Sequence, residues 1–399
     1  MTRIRGYLAF LAAPCLAAVW VWAPRRAPER QTAVTRAPAS PAQGTLSRAS
    51  VSPFPPRGYR SVRPGYLYRF PRDLAAHPDF RTEWWYYTGH LASGQRRFGF
   101  ELTFFRVGLD PRRARSYSAW ALHTIYFAHL AVTDETHGSF HVAESAGRPA
   151  LGMAGADTSR FRVWINDWSA GLEGNTHRLR ATAADIAIDL ELLPEKPPII
   201  HGERGISRKS SRSTAYASHY FSIPRLAARG RLRMGREWRP VTGSAWLDRE
   251  FFSSGLPPHV MGWDWYALQL DDRRELMLYV LRQSDGRIEP ASGGTLVEAD
   301  GSHQSLSISD FQAESTGAWR SPHSGAVYPS GWRIHVPGAN LRLTLTPTVA
   351  DQELHLEGLI PVTYWEGSVR IAGEVLGRPV SGRGYVELTG YARRMEIGP

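Results

Sequence analysis

From Tyr66 onward, short runs of alternating apolar and polar residues recur along the chain. Phe98, Phe100, Leu102 and Phe104 alternate with Gly99, Glu101 and Thr103, and Ile125, Phe127 and His129 alternate with Tyr126, Ala128 and Leu130. Phe161, Val163 and Ile165 are interleaved with Arg162 and Trp164. Ile186, Ile188, Leu190 and Leu192 alternate with Asp185, Ala187, Asp189 and Glu191, the cleanest such pattern in the chain. Successive side chains of a strand point to opposite faces, so a period of two predicts half-buried β-strands. Turn signals such as Ala92-Ser93-Gly94 separate the runs. Short strands at that spacing predict an antiparallel sandwich or barrel rather than βαβ units. Further strands are predicted over 216–222, 245–252, 275–282, 340–345, 364–367 and 384–391, with a loop over 194–213 and a long stretch of turns between 282 and 340. No long amphipathic helix is readable.

One strand organises the rest: Glu83-Trp84-Trp85-Tyr86-Tyr87-Thr88-Gly89-His90-Leu91. Glu83, Trp85 and Tyr87 share one face; Trp84, Tyr86 and His90 share the other. Neither face suits water, so the strand must lie between two packed layers or line a cavity. Gly262-Trp263-Asp264-Trp265-Tyr266-Ala267-Leu268-Gln269-Leu270 echoes it. Trp84, Tyr87 and Leu91 fall opposite Trp263, Tyr266 and Leu270 without a gap, and each stretch is followed by an apolar run ending in Arg, Arg106 and Arg282. Self-similarity of this kind predicts two related β domains.

Length allows two domains. We divide the 399 residues into an N-terminal apolar segment (1–23), a Pro/Ala/Arg-rich tether (24–65), and two β domains (66–255 and 256–395). Arg3 and Arg5 precede the apolar run 6–23, and Arg25 and Arg26 close it, the layout of a secretory signal or a membrane anchor. Export to the cell envelope, periplasmic or N-terminally anchored, is therefore expected; cleavage and anchoring both stay open. The formal charge of +11 would suggest nucleic acid or membrane, but residues 1–65 hold ten arginines against Glu29 alone. The remaining body is nearly neutral, which argues against a nucleic-acid partner. The only cysteine, Cys15, lies in the apolar segment, so the body has neither disulfides nor Cys-ligated metal.

No nucleophile elbow, phosphate loop, dinucleotide fingerprint or zinc helix is present, and the 14 histidines are scattered. Neither metal nor cofactor is expected. What remains is acid among aromatics. Glu83 adjoins Trp84 and Trp85, Asp264 lies between Trp263 and Trp265, and Glu101 sits among phenylalanines. A carboxyl group in an apolar pocket loses acidity and can act as a general acid near neutral pH. Aromatic faces could stabilise the carbocation that protonating an alkene creates. Asp264 and Glu83 are the candidate proton donors, and Trp84, Trp85, Tyr87, Tyr220, Trp263 and Trp265 the candidate ligand-binding residues. Glu101, Arg106, Asp248, Arg249 and Glu250 are read as structural ion pairs, with a local Arg satisfying both Asp248 and Glu250. His123, His129 and His219 are read as hydrogen-bonded core residues.

These motifs resemble a known family. Phe80-Arg81-Thr82-Glu83-Trp84-Trp85-Tyr86-Tyr87-Thr88-Gly89, Phe100-Glu101-Leu102-Thr103-Phe104-Phe105-Arg106, Ala217-Ser218-His219-Tyr220-Phe221-Ser222, Trp246-Leu247-Asp248-Arg249-Glu250-Phe251, Gly262-Trp263-Asp264-Trp265, Tyr364-Trp365-Glu366-Gly367 and Gly384-Tyr385-Val386-Glu387-Leu388-Thr389-Gly390-Tyr391 are similar to the carotenoid 1,2-hydratase-related, AttH-type family with lipocalin-like domains. The resemblance implies an all-β protein of two packed lipocalin-like (calycin) antiparallel barrels, and an apolar ligand held inside a barrel. It implies one of two functions. The first is an exported protein binding a lipid or isoprenoid beside an ABC-type transporter or the membrane surface. The alternative is a cofactor-free hydratase adding water to an isoprenoid double bond. The Asp-Arg-Glu and Trp-Asp-Trp forms here are those of the AttH-like branch, which favours the first.

Overall fold

The computed structural model describes residues 58–109, 122–358 and 360–396. The apolar segment 1–23 and the tether up to residue 57 lie outside the described residues. The first sheet is built from β1 (Thr82–Ser93), β2 (Arg96–Gly108), β3 (Thr124–Asp134), β4 (Ser139–Gly147), β5 (Ala154–Ala156), β6 (Arg162–Ile165), β7 (Trp168–Glu173), β8 (Thr176–Thr182), β9 (Ile186–Pro194), β10 (Ile199–Ile200), β11 (Ser207–Arg208), β12 (Ala217–Met234) and β13 (Glu237–Phe252). The second comprises β14 (Val260–Leu270), β15 (Glu275–Gln283), β16 (Gly293–Val297), β17 (His303–Ser307) and β18 (Gln312–Ser315). After the small hairpin β19 (Ala318–Arg320) and β20 (Val327–Pro329), it continues with β21 (Trp332–Val336), β22 (Leu341–Pro347), β23 (Glu353–Leu356), β24 (Val362–Val375) and β25 (Arg378–Thr389). The helices among the described residues are single 3₁₀ turns.

The two sheets have one topology. The first runs β4-β3-β2-β1-β13-β12-β9-β8-β7-β6-β5 and the second β17-β16-β15-β14-β25-β24-β22-β21-β18. In each, the first strand of the sheet pairs with its own meander on one side and with the last strand on the other. The aromatic echo thus falls on equivalent strands, β1 and β14. The first sheet curls until β3 and β4 meet β6 and β9, so it is nearly a closed barrel.

Three details differ from the sequence pattern. The strand predicted over 216–222 continues to Met234 through a register shift between Ile223 and Leu226. Pro224 sits at that shift, where a missing N–H costs no ladder bond. The stretch read as turns, 282–340, holds β16 to β21, each only three to five residues long, too short for an alternation such as that of Trp332, Ile334 and Val336 on β21 to stand out from the turns around it. The predicted loop 194–213 carries the two short strands β10 and β11, both paired to β12.

The alternation on β1 is as expected. Trp85, Tyr87 and Leu91 lie in the core of the first sheet with Phe98, Phe100 and Phe104. Tyr266, Leu268 and Leu270 fill the second with Trp332 and Trp365. The opposite faces of β1 and β14 meet each other: Tyr86, Tyr220, Trp246, Trp265 and Tyr385 form a separate aromatic cluster. Gly99 on β2 permits that approach, because a Cβ there would lie 2.6 Å from Cβ of Ser368.

Glu83, a candidate proton donor on sequence grounds, serves this architecture instead. It is fully buried and ion-paired to both Arg106 and Arg249. The backbone N–H of His77 also donates to it, at 3.0 and 3.1 Å. Arg249 is fully buried too, lies 4.0 Å over the Trp85 ring, and donates to the carbonyls of Ala75 and Trp84. Burial by itself would raise the Glu83 carboxyl, but the two guanidiniums hold it well below the usual carboxylate range. Removing one partner of such a cluster leaves buried charge uncompensated, at a cost of about 3–5 kcal/mol. Glu83→Ala is therefore expected to lower unfolding stability by about that amount, read from chemical-denaturation midpoints, while Glu314→Ala on exposed β18 leaves the midpoint unchanged.

Candidate functional site: a cavity between the two sheets

A cavity of about 590 Å³ lies between the sheets. One wall is the outer face of the first sheet: Trp84 and Tyr86 of β1, Thr103 and Phe105 of β2, Phe127 and His129 of β3, Tyr220 of β12, Asp248 and Glu250 of β13. The facing wall comes from the second sheet: Trp263 and Trp265 of β14, Tyr279 and Leu281 of β15, Tyr364 of β24 and Glu387 of β25. Residues 360–363 and the C-terminal segment 393–396 complete the rim. The family resemblance implied a ligand inside a barrel; this cavity lies between the two sheets. Both barrel interiors are filled by close-packed apolar side chains, so the concave space is left where two barrels meet.

Polar contacts between the sheets fix the walls. The Tyr86 hydroxyl donates to Glu366 Oε1 at 2.6 Å, and His129 Nδ1 lies 2.9 Å from the Tyr364 hydroxyl. Trp265 Nε1 donates to the Tyr220 hydroxyl at 3.1 Å, which donates to Asp248 Oδ2 at 2.5 Å. Lys196 is buried against Glu275 at 2.6 Å, and Arg383 holds Glu135 at 2.7 Å.

The alternation of the strands sorts the expected site residues. Trp84, Trp263, Trp265 and Tyr220, read from sequence as ligand-binding residues, line the cavity. Trp85 and Tyr87 do not. They point into the first core, where Trp85 Nε1 donates to the Leu74 carbonyl at 2.8 Å and the Tyr87 hydroxyl meets His177 Nδ1 at 2.8 Å. Neither proposed proton donor reaches the cavity. Glu83 is in the double-arginine cluster. Asp264 shares the inner face of β14 with Tyr266, pairs with Arg282 at 2.8 Å, and accepts from the Tyr391 hydroxyl at 3.0 Å. Burial raises its carboxyl despite Arg282.

Two of the acids read as structural, Asp248 and Glu250, are in the cavity wall. Arg249 cannot satisfy Asp248 and Glu250, because adjacent strand residues point to opposite faces. Asp248 instead accepts hydrogen bonds from Tyr220, Ser222 and the Trp246 indole, with no cation among its partners. Burial pushes its carboxyl up to about 7 in spite of these bonds. Glu250 pairs with Lys209 at 2.8 Å and accepts from Ser218. Glu101, also read as an ion-pair residue, has no salt bridge among the described residues; Arg106 is on the inner face of β2 with Glu83. Glu387 was not singled out from sequence. It accepts from Trp263 Nε1 at 2.6 Å, and burial, reinforced by Asp248 and Glu250, pushes it up to about 7. Its sequence signal is an acid between Val386 and Leu388, the pattern Glu101 also shows.

Of the three histidines, His129 is a buried, hydrogen-bonded residue whose imidazole burial pushes down to about 3. His219 is buried with its Nδ1 3.4 Å from the Gly205 carbonyl. His123 is exposed ahead of β3, not a core residue. Among the described residues no group of three His, Cys, Asp or Glu side chains is placed to hold a metal ion, and no helix is long and apolar enough to cross a membrane.

Comparison with known proteins gives a consistent picture. The AttH-like family matches residues 61–391. A Nitrosomonas europaea protein assigned as an AttH is 34% identical, with a TM-score of 0.76 over 84% of this chain and 100% of its own. Kievitone hydratase from Nectria haematococca is 15% identical, with a TM-score of 0.63 over 86% of this chain and 98% of its own. CghA, crystallised with Sch210972, is 13% identical, with a TM-score of 0.51 over 86% and 96%. The last two share the fold. No curated protein sequence matches the chain.

The cavity acids make stability depend on pH. Asp248 and Glu387 bind protons more tightly folded than unfolded, since burial lifts both from the carboxylate range to about 7. Stability therefore falls as pH rises from about 4 to about 7, and the full cost of the two ionised groups is present above that window. Glu83, with a depressed carboxyl, loses its contribution only at acid pH. Denaturation midpoints measured from about pH 5 to about pH 8 should fall in the native protein and fall less in Asp248→Asn and Glu387→Gln.

Proposed function

The chain belongs to the AttH-like family, and on that premise we propose that it binds an apolar, unsaturated small molecule in the cavity between its sheets. One observation carries the reading. The cavity, about 590 Å³, is faced with aromatic side chains on both walls, Trp84, Phe105 and Phe127 against Trp263, Trp265 and Tyr279. That volume is within the range of small-molecule sites. Flat π-faces on opposite walls suit a conjugated or isoprenoid chain, and polar groups in the lining, among them Lys209, Glu250 and Arg394, can set its orientation. The envelope location and an ABC-type transporter or membrane surface as partner belong to the same proposal. Their support is the apolar run 6–23 with its basic flanks and the family resemblance.

A second reading, acid-catalysed hydration, is favoured by Asp248 and Glu387. Both are cavity carboxyls that burial brings close to half-protonated at neutral pH, the condition for a general acid. The protonated carboxyl would give its proton to one alkene carbon. Trp84, Trp263 or Trp265 would face the cation formed at the other carbon. Water would add there and return a proton to the carboxylate, so no proton is consumed overall. A hydratase, kievitone hydratase, is built on the same fold.

Binding and chemistry separate experimentally. Native mass spectrometry with lipid extraction, on protein purified from its own envelope, should recover an apolar ligand. Trp84→Ala and Trp263→Ala should each weaken binding of that ligand, or of an added polyene, about tenfold or more, as expected for losing a large apolar contact. Asp248→Asn and Glu387→Gln should retain binding and abolish any product heavier by one water. A protein that copurifies empty and ignores polyenes and fatty acids would remove both readings.

A further inference from the structure

We propose that Glu101, Glu366 and Glu387 form a proton relay between the two sheets, in which Glu387 exchanges a proton with a ligand in the cavity and Glu366, backed by Glu101, replaces it. Delivery to a ligand rests on the cavity reading above; the relay itself does not.

Strand register brings the three carboxyls together. Glu366 and Glu387 are direct cross-strand partners on β24 and β25, both on the outer face, since Trp365, Val386 and Leu388 point into the second core. Glu101 is on the outer face of β2, between Gly99 and Thr103. Gly99 abuts Ser368, the outer-face neighbour of Glu366 on β24. Thr103 pairs in register with Tyr86 and His129, which bond to Glu366 and Tyr364. Both flanks of Glu101 are thus matched to both flanks of Glu366, and the two carboxyls face each other across the contact.

Like charges directly opposite in an antiparallel pair are destabilising, and an unpaired buried carboxylate costs far more than a buried carboxylic acid. The neighbouring cations do not answer these groups. Lys209 is committed to Glu250 and Arg383 to Glu135. Burial lowers His90 and His129, so both are neutral at neutral pH. The remaining titratable neighbours are Tyr86, Tyr364 and Tyr385, all raised by burial, and the carboxyls of Asp248 and Glu250 beside Glu387. None of the three glutamates has a salt bridge among the described residues. Among the described residues, both oxygens of Glu101 and Oε2 of Glu366 lack a hydrogen-bond partner in good geometry, and so do the buried hydroxyls of Thr103 and Tyr385. Neutral acids are the consistent state: burial holds Glu101 and Glu366 well above the carboxylate range. Exposure gives the relay its direction. Glu101 and Glu366 are 0% exposed, whereas Glu387 is half-buried and lines the cavity. When Glu387 gives up its proton, the O–H of Glu366 can break to reprotonate it, and the carboxylate left on Glu366 takes a proton from Glu101. Each step moves one proton and leaves one negative charge, and the water that adds to the ligand returns the proton to the chain.

The test is infrared spectroscopy of the full chain, following the carbonyl stretch of protonated carboxyl groups as pH is raised from acid to alkaline. The native protein should keep a protonated-carboxyl band well above neutral pH, displaced in heavy water, in addition to a component lost near neutrality. Glu101→Gln and Glu366→Gln should each remove part of the persistent band. Glu387→Gln should spare it and remove part of the component that titrates near neutrality. A native protein with no protonated-carboxyl band above neutral pH would overturn the proposal without recourse to any variant. So would a persistent band unchanged in both Glu101→Gln and Glu366→Gln. A band that behaves as expected in a protein that binds no polyene would leave the relay standing and remove the cavity reading. A bound polyene that leaves the Glu387 component unmoved would remove delivery to the ligand.

Discussion

The central strands of both sheets are buried on both faces, and this constraint shapes the rest of the molecule. An ordinary antiparallel barrel can turn one face of each strand to water. Here β1, β2 and β13 press their outer faces against those of β14, β24 and β25, so their polar residues lose that option. Every buried polar group then needs a partner or a neutral state. The molecule uses both solutions, in different places.

Inside the first barrel the solution is charge pairing. Glu83, Arg106 and Arg249 form one ionised cluster whose donors and acceptors are taken up by one another and by backbone groups. Between the barrels the solution is mainly neutrality. Asp248, Glu366 and Glu387 accept hydrogen bonds from uncharged groups, Glu101 has none in good geometry among the described residues, and burial raises all four. The same residue type therefore lives in two electrostatic regimes on opposite faces of one set of strands. The second regime borders the aromatic cavity between the sheets.

Repetition of one topology explains where the cavity is. Two sheets with equivalent strand order pack through equivalent strands, and each contributes its Trp at the same position of the echo, Trp84 and Trp263. Convex barrels meeting side by side cannot fill the space beside their line of contact. Their interiors can be filled, and are. The apolar space is a product of the pairing and exists in neither sheet taken alone.

Much of this was legible in the sequence for a physical reason: strand alternation is local. The all-β class, the two faces of β1, the kinship of the two aromatic stretches and the family all follow from residues close together in the chain. The long, polar-interrupted β12 and the short strands between 282 and 340 were not legible, because Pro224 breaks the pattern of the first and strands of three to five residues are too short to show a period. Partner choice was decided only by the tertiary structure. Sequence adjacency pointed to Arg249 as the partner of Asp248 and Glu250, yet the pleat sends it to the other face, where it meets Glu83, 166 residues away. Which acids stay ionised and which hold protons depends on whether a guanidinium from a distant strand reaches them. That distance is set by the fold, and no short-range pattern encodes it.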